Sequence, residues 1–442
     1  MTELIVTKDM DAPGIDTLEG YRQHGGYSAL EKALKEYLPD DLVEMVKKSG
    51  LRGRGGAGFP TGMKWSFLAK NDKKRYLCCN CDESEPGTFK DRMIMEKNPH
   101  MLVEGVIITS YACRVSTAFI YVRGELELAG LQVARAIEEA YAAGYIGKNI
   151  LGSDFSLDVI MHRGAGAYIC GEESALMESL EGRRGYPRLK PPFPAAIGLY
   201  GGPTVINNCE TLATIPAIVK NGADWYASFG TEKSKGTRIF CLSGHVKKPG
   251  NYELPLGTPL RTLIYDEQYG GGILGDKQLK AIIPGGSSTF ILGSDKVDTP
   301  LDFEAIAAAG SMLGSGGVIV INEDTCIVDA VLRMTEFYRD ESCGKCTPCR
   351  EGTYWLTEIL HRIEEGHGRE KDIDLLLDVC DNISGKSFCP LGDAATSSIT
   401  SSIKLFREEY ETHVREGRCP FKKRTQPEHP EAGAQTLQAG AR

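Results

Sequence analysis

The sequence contains no uninterrupted apolar run long enough to cross a bilayer, which predicts that it has no transmembrane helix. Excess positive charge is also missing, because 51 Lys and Arg residues stand against 60 Asp and Glu residues. The resulting net charge of −9 argues against a broad phosphate-neutralising surface, so we expect no nucleic-acid partner. The first twenty residues lack a basic start followed by an apolar stretch, so we expect neither a secretory signal nor a transit peptide.

Cysteine, in contrast, is abundant. Fourteen cysteines in a chain without a predicted export signal indicate a reducing compartment, in which thiols are buried or bind metals. Cys113, Cys241, Cys326 and Cys380 each lie alone in apolar or mixed segments, and we interpret these four as packing residues.

The hydrophobic pattern predicts an α/β domain near the N-terminus. Two short helices are predicted within residues 28–49, and short apolar runs then alternate with helical patterns from about 51 to 225. The predicted strands are 75–80, 117–123 and 156–162, and the predicted helices between them are 101–112, 127–144 and 172–182. This alternation is typical of an open parallel sheet.

The pattern of predicted secondary structure changes twice in the rest of the chain. Short β segments with glycine-containing turns predict a small mixed β domain, and helical patterns then predict an all-helical domain. The polar end of the chain, which contains three prolines, predicts a disordered tail. The predicted division is a helical segment (1–50), an α/β domain (51–232), a β domain (233–325), a helical domain (326–418) and a tail (419–442).

The stretch ESCGKCTPCREG at 341–352 places Cys343, Cys346 and Cys349 in one C-x-x-C-x-x-C register. Gly344 and Pro348 predict that the three thiols lie on a compact loop rather than along a helix face. A close triplet with a distant fourth cysteine is typical of a [4Fe–4S] ligand set, whereas zinc usually takes two separated pairs.

We predict Cys389, in KSFCPLGD, as the fourth ligand of this cluster. Cys380 is nearer in sequence but belongs to an apolar helical pattern, and Cys419 lies near the chain end. The alternatives for the triplet are a zinc site or a set of free thiols.

A second informative stretch is LRGRGGAGFPTGMKW at 51–65. A backbone with so few side chains can approach a phosphate and present N–H donors to it, while Arg54 and Lys64 add positive charge. Phe59 and Phe67 are candidates for stacking on a flat ring. The stretch matches neither G-x-G-x-x-G nor a P-loop, so a turn-rich loop without a ligand is the alternative. Its glycines are Gly53, Gly55, Gly56, Gly58 and Gly62.

Polar clusters follow the predicted strands at 80–92 and 162–176 and recur at 190–194 and 205–212. Loops at the carboxyl ends of parallel strands form the ligand crevice of an α/β sheet. Carboxylates there can accept hydrogen bonds from ribose hydroxyls, and Asn amides can recognise the edge of a heterocycle. The alternative for each cluster taken singly is a solvated polar loop.

These motifs, in this order and over nearly the whole chain, resemble those of the flavin-bearing, NADH-oxidising subunit of respiratory complex I. The resemblance implies a Rossmann-like domain that binds FMN and NADH, a ubiquitin-like β-grasp domain, and a helical bundle with one [4Fe–4S] cluster. The family usually has a small apolar residue where Cys81 stands. The segments that carry the resemblance are 51–65, 78–90, 164–176, 187–194, 205–212 and 342–350, with Cys389.

The resemblance also implies roles for individual residues. Along the FMN phosphate and ribityl chain it places Gly53, Arg54, Gly55, Gly56 and Lys64, and against the flavin it places Asn80, Asp82, Asn207 and Asn208. Around the adenine of NADH it places Phe59, Phe67 and Phe193. Near the nicotinamide and riboses it places Glu85 and Glu173, implied as catalytic, and Tyr168, Gly171, Glu172 and Lys190. The cluster ligands implied are Cys343, Cys346, Cys349 and Cys389.

The function implied is electron input into an NADH:quinone oxidoreductase, part of a translocase complex. A flavin accepts two electrons as a hydride and releases them singly, so it fits between NADH and an iron–sulfur chain. The implied partners are a [2Fe–2S]-carrying small subunit and a large multi-cluster subunit of the peripheral arm. The implied location is cytoplasmic, peripheral to the plasma membrane. A carboxylate at Glu173 would repel a 2′-phosphate, which favours NADH over NADPH.

Three alternatives compete with this interpretation. The diaphorase subunit of a soluble NAD-linked hydrogenase or formate dehydrogenase shares the same core, but many such chains carry extra cysteine-rich segments. Here no cysteine precedes Cys78 and only Cys419 follows Cys389, which favours the complex I form. The second alternative is a non-catalytic scaffold in which a zinc ion or a cluster only holds a helical bundle together. A regulatory protein built on the β-grasp domain is the third, and it leaves the cysteine triplet without a purpose.

Overall fold

The computed structural model describes residues 3–422, so most of the predicted tail, from 423 onward, lies outside the described residues. The chain begins with three helices: α1 (Leu18–Gln23), α2 (Ser28–Glu36) and α3 (Pro39–Ser49). The two helices predicted within 28–49 are confirmed. Pro39 occupies the first turn of α3, where its missing N–H has no helical partner to lose.

The α/β domain contains a four-stranded parallel sheet in the order β3-β2-β1-β4. Its strands are β1 (Tyr76–Cys81), β2 (Thr117–Val122), β3 (Asp158–Arg163) and β4 (Thr204–Asn208). Its helices are α4 (Thr61–Ser66), α5 (Lys90–Lys97), α6 (Pro99–Ala112), α7 (Glu127–Ala142), α8 (Glu173–Leu180), α9 (Cys209–Ala213), α10 (Ile215–Asn221) and α11 (Ala223–Ala227). The parallel sheet is confirmed.

Strand β4 was not predicted, because its five residues end in two asparagines and resemble a polar loop. It pairs with β1 so that Cys79 lies opposite Asn207 and Asn80 opposite Asn208. Since both strands end at the same edge of the sheet, this pairing brings three polar side chains to the crevice side by side.

The second domain is a five-stranded mixed sheet in the order β6-β5-β9-β7-β8. The first and last of these strands along the chain are parallel neighbours in the sheet, which is the β-grasp arrangement expected from the resemblance. Its elements are β5 (Thr237–Gly244), β6 (Gly250–Pro255), α12 (Leu260–Tyr265), β7 (Leu279–Ile283), β8 (Leu292–Gly293), α13 (Phe303–Ala308) and β9 (Gly317–Asn322).

The C-terminal domain is a bundle of four helices: α14 (Ile327–Glu341), α15 (Thr347–Glu364), α16 (Asp372–Ile383) and α17 (Leu391–Glu416). The expectation that all three triplet cysteines lie on a loop is wrong for Cys349, which lies in the first turn of α15. Pro348 opens this helix instead of preventing it, because proline is tolerated in a first turn. Within residues 3–422, no helix has the length and apolar content needed to cross a bilayer.

Buried polar contacts join the α/β domain to the β-grasp domain. Lys90 is almost fully buried and forms ion pairs with Asp91 and Glu210. Glu210 in turn accepts a hydrogen bond from the backbone N–H of Ile239 in β5, at 2.9 Å. The two domains therefore share a charged core, and the domain boundaries themselves stay a prediction.

Candidate active site

The glycine-rich loop lies between α3 and α4 and approaches the end of β4 closely. A Cβ on Gly55 would lie 2.9 Å from the Cβ of Asn208, so no larger residue fits there without a shift. Gly56 has φ = 153°, and a Cβ added to it would meet no other heavy atom within 4 Å. The loop thus presents bare backbone to an open space beside the sheet edge, as a phosphate-binding loop requires.

Arg54 does not supply the exposed positive charge that the sequence suggested. Its side chain is fully buried, and Nη2 donates to the hydroxyl of Tyr226 and to the carbonyls of Lys235 and Thr237. Its backbone N–H donates to Oγ1 of Thr211 at 2.8 Å. Arg54 therefore anchors the loop to the second domain, and its guanidinium does not reach solvent.

Asp82 is the unusual side chain at the end of β1. Asn80 donates from Nδ2 to the carbonyl of Gly171 at 2.8 Å and accepts from the N–H of Asp82 at 3.0 Å, which fixes the turn after the strand. Both carboxylate oxygens of Asp82 are buried, and neither has a hydrogen-bond partner among residues 3–422. Burial raises the pKa of Asp82 to about 7. A buried acceptor of this kind fits a ligand that brings hydroxyl donors, as a ribityl chain does.

The two asparagines at the end of β4 differ in their surroundings. Oδ1 of Asn207 accepts a hydrogen bond from the indole N–H of Trp65 at 2.8 Å. Asn208 caps α9 through the N–H of Glu210 and donates to Asp91, so its amide is held by the protein. Asn208 thus lies beside Gly55 of the glycine loop. The contact between Trp65 and Asn207 was not predicted, and the place of both asparagines against the flavin stays a prediction.

Two lysines and two glutamates form one network at the N-terminus of α8. Nζ of Lys64 lies 2.9 Å from Oε2 of Glu173, and Nζ of Lys190 lies 2.8 Å from both Glu172 and Glu173. Burial by itself would raise the pKa of Glu173, but the two lysines hold this pKa below its usual value. Oε2 of Glu172 also accepts from the N–H groups of Ser174 and Ala175, and so caps the helix.

Glu85 faces the β-grasp domain. Its Oε2 accepts from the hydroxyl of Tyr168 at 2.6 Å, and its Oε1 accepts from the N–H of Ser288 at 2.7 Å. Burial raises the pKa of Glu85, against the lowering effect of these hydrogen bonds. Because Ser287 and Ser288 belong to a loop of the second domain, the crevice has two domains as walls, which the sequence did not indicate.

Three aromatic rings are exposed at the predicted adenine site. Phe59, Phe67 and Phe193 are 46%, 55% and 58% exposed. The rings of Phe59 and Phe67 lie 6.1 Å apart between centroids. Phe193 belongs to the same loop as Lys190, whose contacts with Glu172 and Glu173 hold that loop against α8. Exposed aromatic faces beside a charged crevice suit a planar apolar ring with a polar remainder.

The four predicted cluster cysteines line one small cavity. Its wall consists of Pro187, Ser342, Cys343, Lys345, Cys346, Cys349, Phe388, Cys389 and Leu391. Burial, together with the neighbouring Cys343 and Cys349 thiols, raises the pKa of Cys389 to about 11. The N–H of Phe388 donates to Sγ of Cys346 at 3.4 Å, and Lys345 packs over the ring of Phe388. Four converging thiols with a nearby N–H donor fit a [4Fe–4S] cluster.

The cysteine cavity and the crevice share one hydrophobic core. Cys78 of β1, Ile206 of β4 and Cys170 pack in the same cluster as Cys349 and Leu391. Tyr168 also connects the two sites, because its backbone N–H donates to Glu341 at 2.9 Å and its ring packs against Phe337. Cys81, in contrast, is fully buried beside Cys79 and is a packing residue.

The crevice suits a nucleotide, and it shares its packed core with a four-thiol cavity. This combination is the arrangement of an iron–sulfur flavoprotein oxidoreductase. Three family models match the chain: the Nuo51 FMN-binding domain over 46–217, the SLBB domain over 239–291, and the NADH-ubiquinone oxidoreductase-F iron-sulfur binding region over 329–413. The predicted FMN and [4Fe–4S] cofactors are confirmed at the level of these family domains.

Individual relatives and a solved structure agree with these family matches. The chain is 56% identical to the NADH-quinone oxidoreductase F subunit of Mycobacterium tuberculosis (strain ATCC 25618 / H37Rv), over 94% of this chain and 95% of the relative. It is 53% identical to the second such F subunit of Rhizobium meliloti (strain 1021), over 95% of this chain and 100% of the relative. A chain of an NAD+-reducing [NiFe]-hydrogenase is similar in structure, with a TM-score of 0.82, 34% identity, and coverage of 93% of this chain and 67% of that one. The chain belongs to the family of NADH-quinone oxidoreductase F subunits, as the resemblance predicted.

Proposed function

We propose that this chain is the electron-input subunit of an NADH-quinone oxidoreductase, in which NADH is oxidised at FMN and electrons leave singly through one [4Fe–4S] cluster. The observation that carries the proposal is the hydrophobic core shared by the crevice and the cavity lined by Cys343, Cys346, Cys349 and Cys389. Electron transfer between two centres requires a short, packed separation, and the shared core supports such a path.

FMN, when bound, accepts a hydride from NADH and releases its electrons one at a time. In the proposal the bare backbone of Gly55 and Gly56 contacts its phosphate, with Lys64 as the nearby cation. Asp82 accepts hydrogen bonds from the ribityl hydroxyls, which would satisfy its two buried oxygens. Asn80 acts mainly by fixing the turn that holds Asp82 in place.

The open side of the crevice receives NADH. Phe59, Phe67 and Phe193 cover the adenine, since their exposed rings are otherwise in water. Glu172, Glu173 and Lys190 face the riboses, and Glu85 and Tyr168 exclude water at the boundary with the β-grasp domain. In this proposal Glu85 and Glu173 orient the substrate rather than transfer a proton, because hydride transfer requires alignment above all.

We further propose that the chain acts within a multi-subunit complex, with a [2Fe–2S]-carrying small subunit and a large multi-cluster subunit as electron acceptors. The complex is proposed to lie at the cytoplasmic side of the plasma membrane. The hydrogenase diaphorase is the second candidate, supported by the structural similarity at 34% identity. The identities of 56% and 53% to quinone oxidoreductase subunits over nearly the full chain favour the first candidate.

The test compares two cysteine variants of the full chain, purified and reconstituted anaerobically with FMN, iron and sulfide. We expect Cys389→Ser to lose the EPR signal of the NADH-reduced cluster while NADH still bleaches the flavin absorption. Cys380→Ser is the matched control, because Cys380 is a buried thiol of the same bundle outside the cavity. It should keep both signals.

Two results would contradict the proposal. If Cys380→Ser lost the cluster signal and Cys389→Ser kept it, the ligand assignment would be wrong. If the unmodified chain stayed colourless and failed to reduce ferricyanide with NADH, the scaffold alternative would be favoured.

A further inference from the structure

A second group of metal-ligand side chains lies in the helical domain, apart from the four-cysteine cavity. It consists of Cys326, Glu364, His413 and Cys419. One ligand atom from each residue lies within 4.8 Å of the corresponding atoms of the other three, and all four residues are buried. Nothing in the proposed electron transfer uses these residues.

Three helix ends and the following chain segment bring the group together. Cys326 is the N-cap of α14, Glu364 is the last residue of α15, and His413 lies in the last turn of α17. Cys419 follows α17 and is buried, although the sequence assigned it to the tail. Since α15 has 18 residues, Glu364 lies about 25 Å along this helix from the cluster end at a rise of ~1.5 Å per residue.

The spacing of three of the four donor atoms suits a single tetrahedral ion, and the thiol of Cys419 lies within 4.8 Å of each of them. Sγ of Cys326 lies 3.3 Å from Nε2 of His413 and 3.4 Å from Oε2 of Glu364, and Nε2 lies 3.1 Å from Oε2. Zinc bonds of about 2.0–2.3 Å in tetrahedral geometry separate neighbouring ligand atoms by about 3.3–3.8 Å. The three separations come close to that range.

The orientation of His413 leaves the correct nitrogen for a metal. Nδ1 lies 2.6 Å from the carbonyl of Glu409, which can only accept, so Nδ1 carries a proton. Nε2 faces the Glu364 carboxylate and the Cys326 thiol. It carries a proton in the metal-free ion pair with Glu364, and loss of this proton frees its lone pair for a metal. Zinc-bound histidines usually donate the N–H of their other ring nitrogen to a carboxylate, a backbone carbonyl or water, and His413 has this arrangement.

The surrounding charges favour a divalent cation with two thiolates. The N–H of Asp329, in the first turn of α14, donates to Sγ of Cys326, which stabilises a thiolate there. Two thiolates, one carboxylate and a neutral imidazole around a divalent ion carry one net negative charge. Nζ of Lys422 lies 2.9 Å from Oε1 of Glu364, the carboxylate oxygen that is not the one facing His413, and compensates that charge.

We propose that Cys326, Glu364, His413 and Cys419 bind one structural zinc ion. Binding releases the two thiol protons and the proton on Nε2 of His413, so that the bound imidazole is neutral. The ion fixes the segment after α17 to the ends of α14 and α15, and it takes no part in electron transfer because zinc has no redox chemistry under these conditions. Cys326 is then a ligand and not only the packing residue that the sequence suggested.

The test measures the metals in the full, cluster-loaded chain, purified anaerobically without a metal-binding tag. We expect about one zinc in addition to the cluster iron. Its X-ray absorption spectrum should show two sulfur ligands at ~2.3 Å and two nitrogen or oxygen ligands at ~2.0–2.1 Å. A ligand set with only two sulfur atoms would rule out zinc bound in the four-cysteine cavity, where four sulfur ligands are available.

Variants then assign the ligands. Cys419→Ser and His413→Gln should each lower the bound zinc at least fivefold and lower the melting temperature, with iron and flavin contents unchanged. Cys380→Ser, the buried thiol of the same core, should keep the zinc. Added zinc should restore the melting temperature of the metal-free unmodified chain.

Each of three results would overturn the proposal. The first is a chain that holds no zinc and gains no thermal stability when zinc is added, which would leave a buried ion pair between His413 and Glu364. The second is zinc binding that persists unchanged in both ligand variants. The third is an intact mass lower by two hydrogens in the unmodified chain, with peptide mapping that joins Cys326 to Cys419 as a disulfide.

Discussion

At the level of single residues, the carboxylates of the crevice differ in the positive charges and hydrogen-bond donors that surround them. Glu173 has two lysine partners, while in the part of the chain that the structure describes neither oxygen of Asp82 has a hydrogen-bond partner. One carboxylate is therefore charged and paired, and the other is destabilised by burial until a ligand brings donors. The glycine loop could be predicted from local sequence, but the isolation of Asp82 depends on what packs around it.

Asp82→Asn should change stability and flavin binding in opposite directions. A folded-state pKa of about 7 means that the folded chain binds more protons than the unfolded chain between about pH 4 and 7. The free energy of unfolding of the flavin-free chain should therefore fall as pH rises through this range, by at most ~1.4 kcal/mol per pH unit. Asp82→Asn removes this slope, so its gain in melting temperature should be larger at pH 8 than at pH 5.

The flavin-bound form should respond differently. FMN retention by Asp82→Asn should weaken at least tenfold, measured by equilibrium dialysis at pH 7. An unchanged pH slope of the melting temperature would show that Asp82 is not the titrating group.

Glu173→Gln should alter coenzyme preference. Removal of the carboxylate leaves Lys64 and Lys190 without one shared anion, so the crevice becomes more attractive to a 2′-phosphate. We expect the NADPH/NADH ratio of kcat/KM to rise about tenfold, equivalent to ~1.4 kcal/mol. Glu178→Gln is the control, since Glu178 also lies on α8 and pairs with two arginines outside the crevice. An unchanged ratio would rule out the specificity role of Glu173.

At the level of elements, helix α15 determines where the cluster ligands lie. Cys346 is its N-cap, Cys349 lies in its first turn, and its apolar face packs between α14, α16 and α17. Arg362 of α15 forms a bidentate ion pair with Asp372, the first residue of α16. This packing reverses the chain twice and returns Cys389, at the start of α17, to the triplet. The sequence predicted the four helices, but not that one of them begins within the triplet.

Leu360→Ala should loosen this bundle. Leu360 is fully buried in α15, and truncation of such a leucine costs about 2–5 kcal/mol of unfolding free energy. Urea titration followed by circular dichroism should show the loss in the helical domain. Leu375→Ala is the control, because Leu375 of α16 is exposed and its truncation should cost less than about 1 kcal/mol. Equal losses in the two variants would contradict the packing described.

At the level of the whole molecule, the β-grasp domain connects distant parts of the chain. Glu253 of β6 accepts hydrogen bonds from the N–H groups of Ile5, Val6 and Thr7 and from the hydroxyl of Thr237. The N-terminal segment is thereby attached to the second domain, which also closes the crevice through Ser287 and Ser288. One domain therefore supports the coenzyme site without contributing to the parallel sheet.

Glu253→Gln should destabilise the full chain by about 2–4 kcal/mol, because a buried anionic acceptor with several donors is replaced by a neutral amide that accepts at one atom only. The midpoint of urea unfolding reports the change. Glu267→Gln is the matched control, since Glu267 is an exposed partner of Lys248 in the same domain and should change stability by less than about 0.5 kcal/mol. A loss as small as that of the control would mean that the N-terminal attachment contributes little.

The sequence by itself determined the features that depend on near neighbours in the chain: three of the four strands of the parallel sheet, the glycine loop at 53–58, the short strands of a small mixed β domain and the C-x-x-C-x-x-C register. These follow from periodicity, backbone freedom and ligand spacing, which act over a few residues. Only the tertiary structure decided which distant groups meet. It buried Arg54 away from the crevice and joined Cys326 and Cys419 to Glu364 and His413. It also left the Asp82 carboxylate without hydrogen-bond partners among the described residues. Burial and convergence depend on packing between elements far apart in the chain, and no local pattern encodes them.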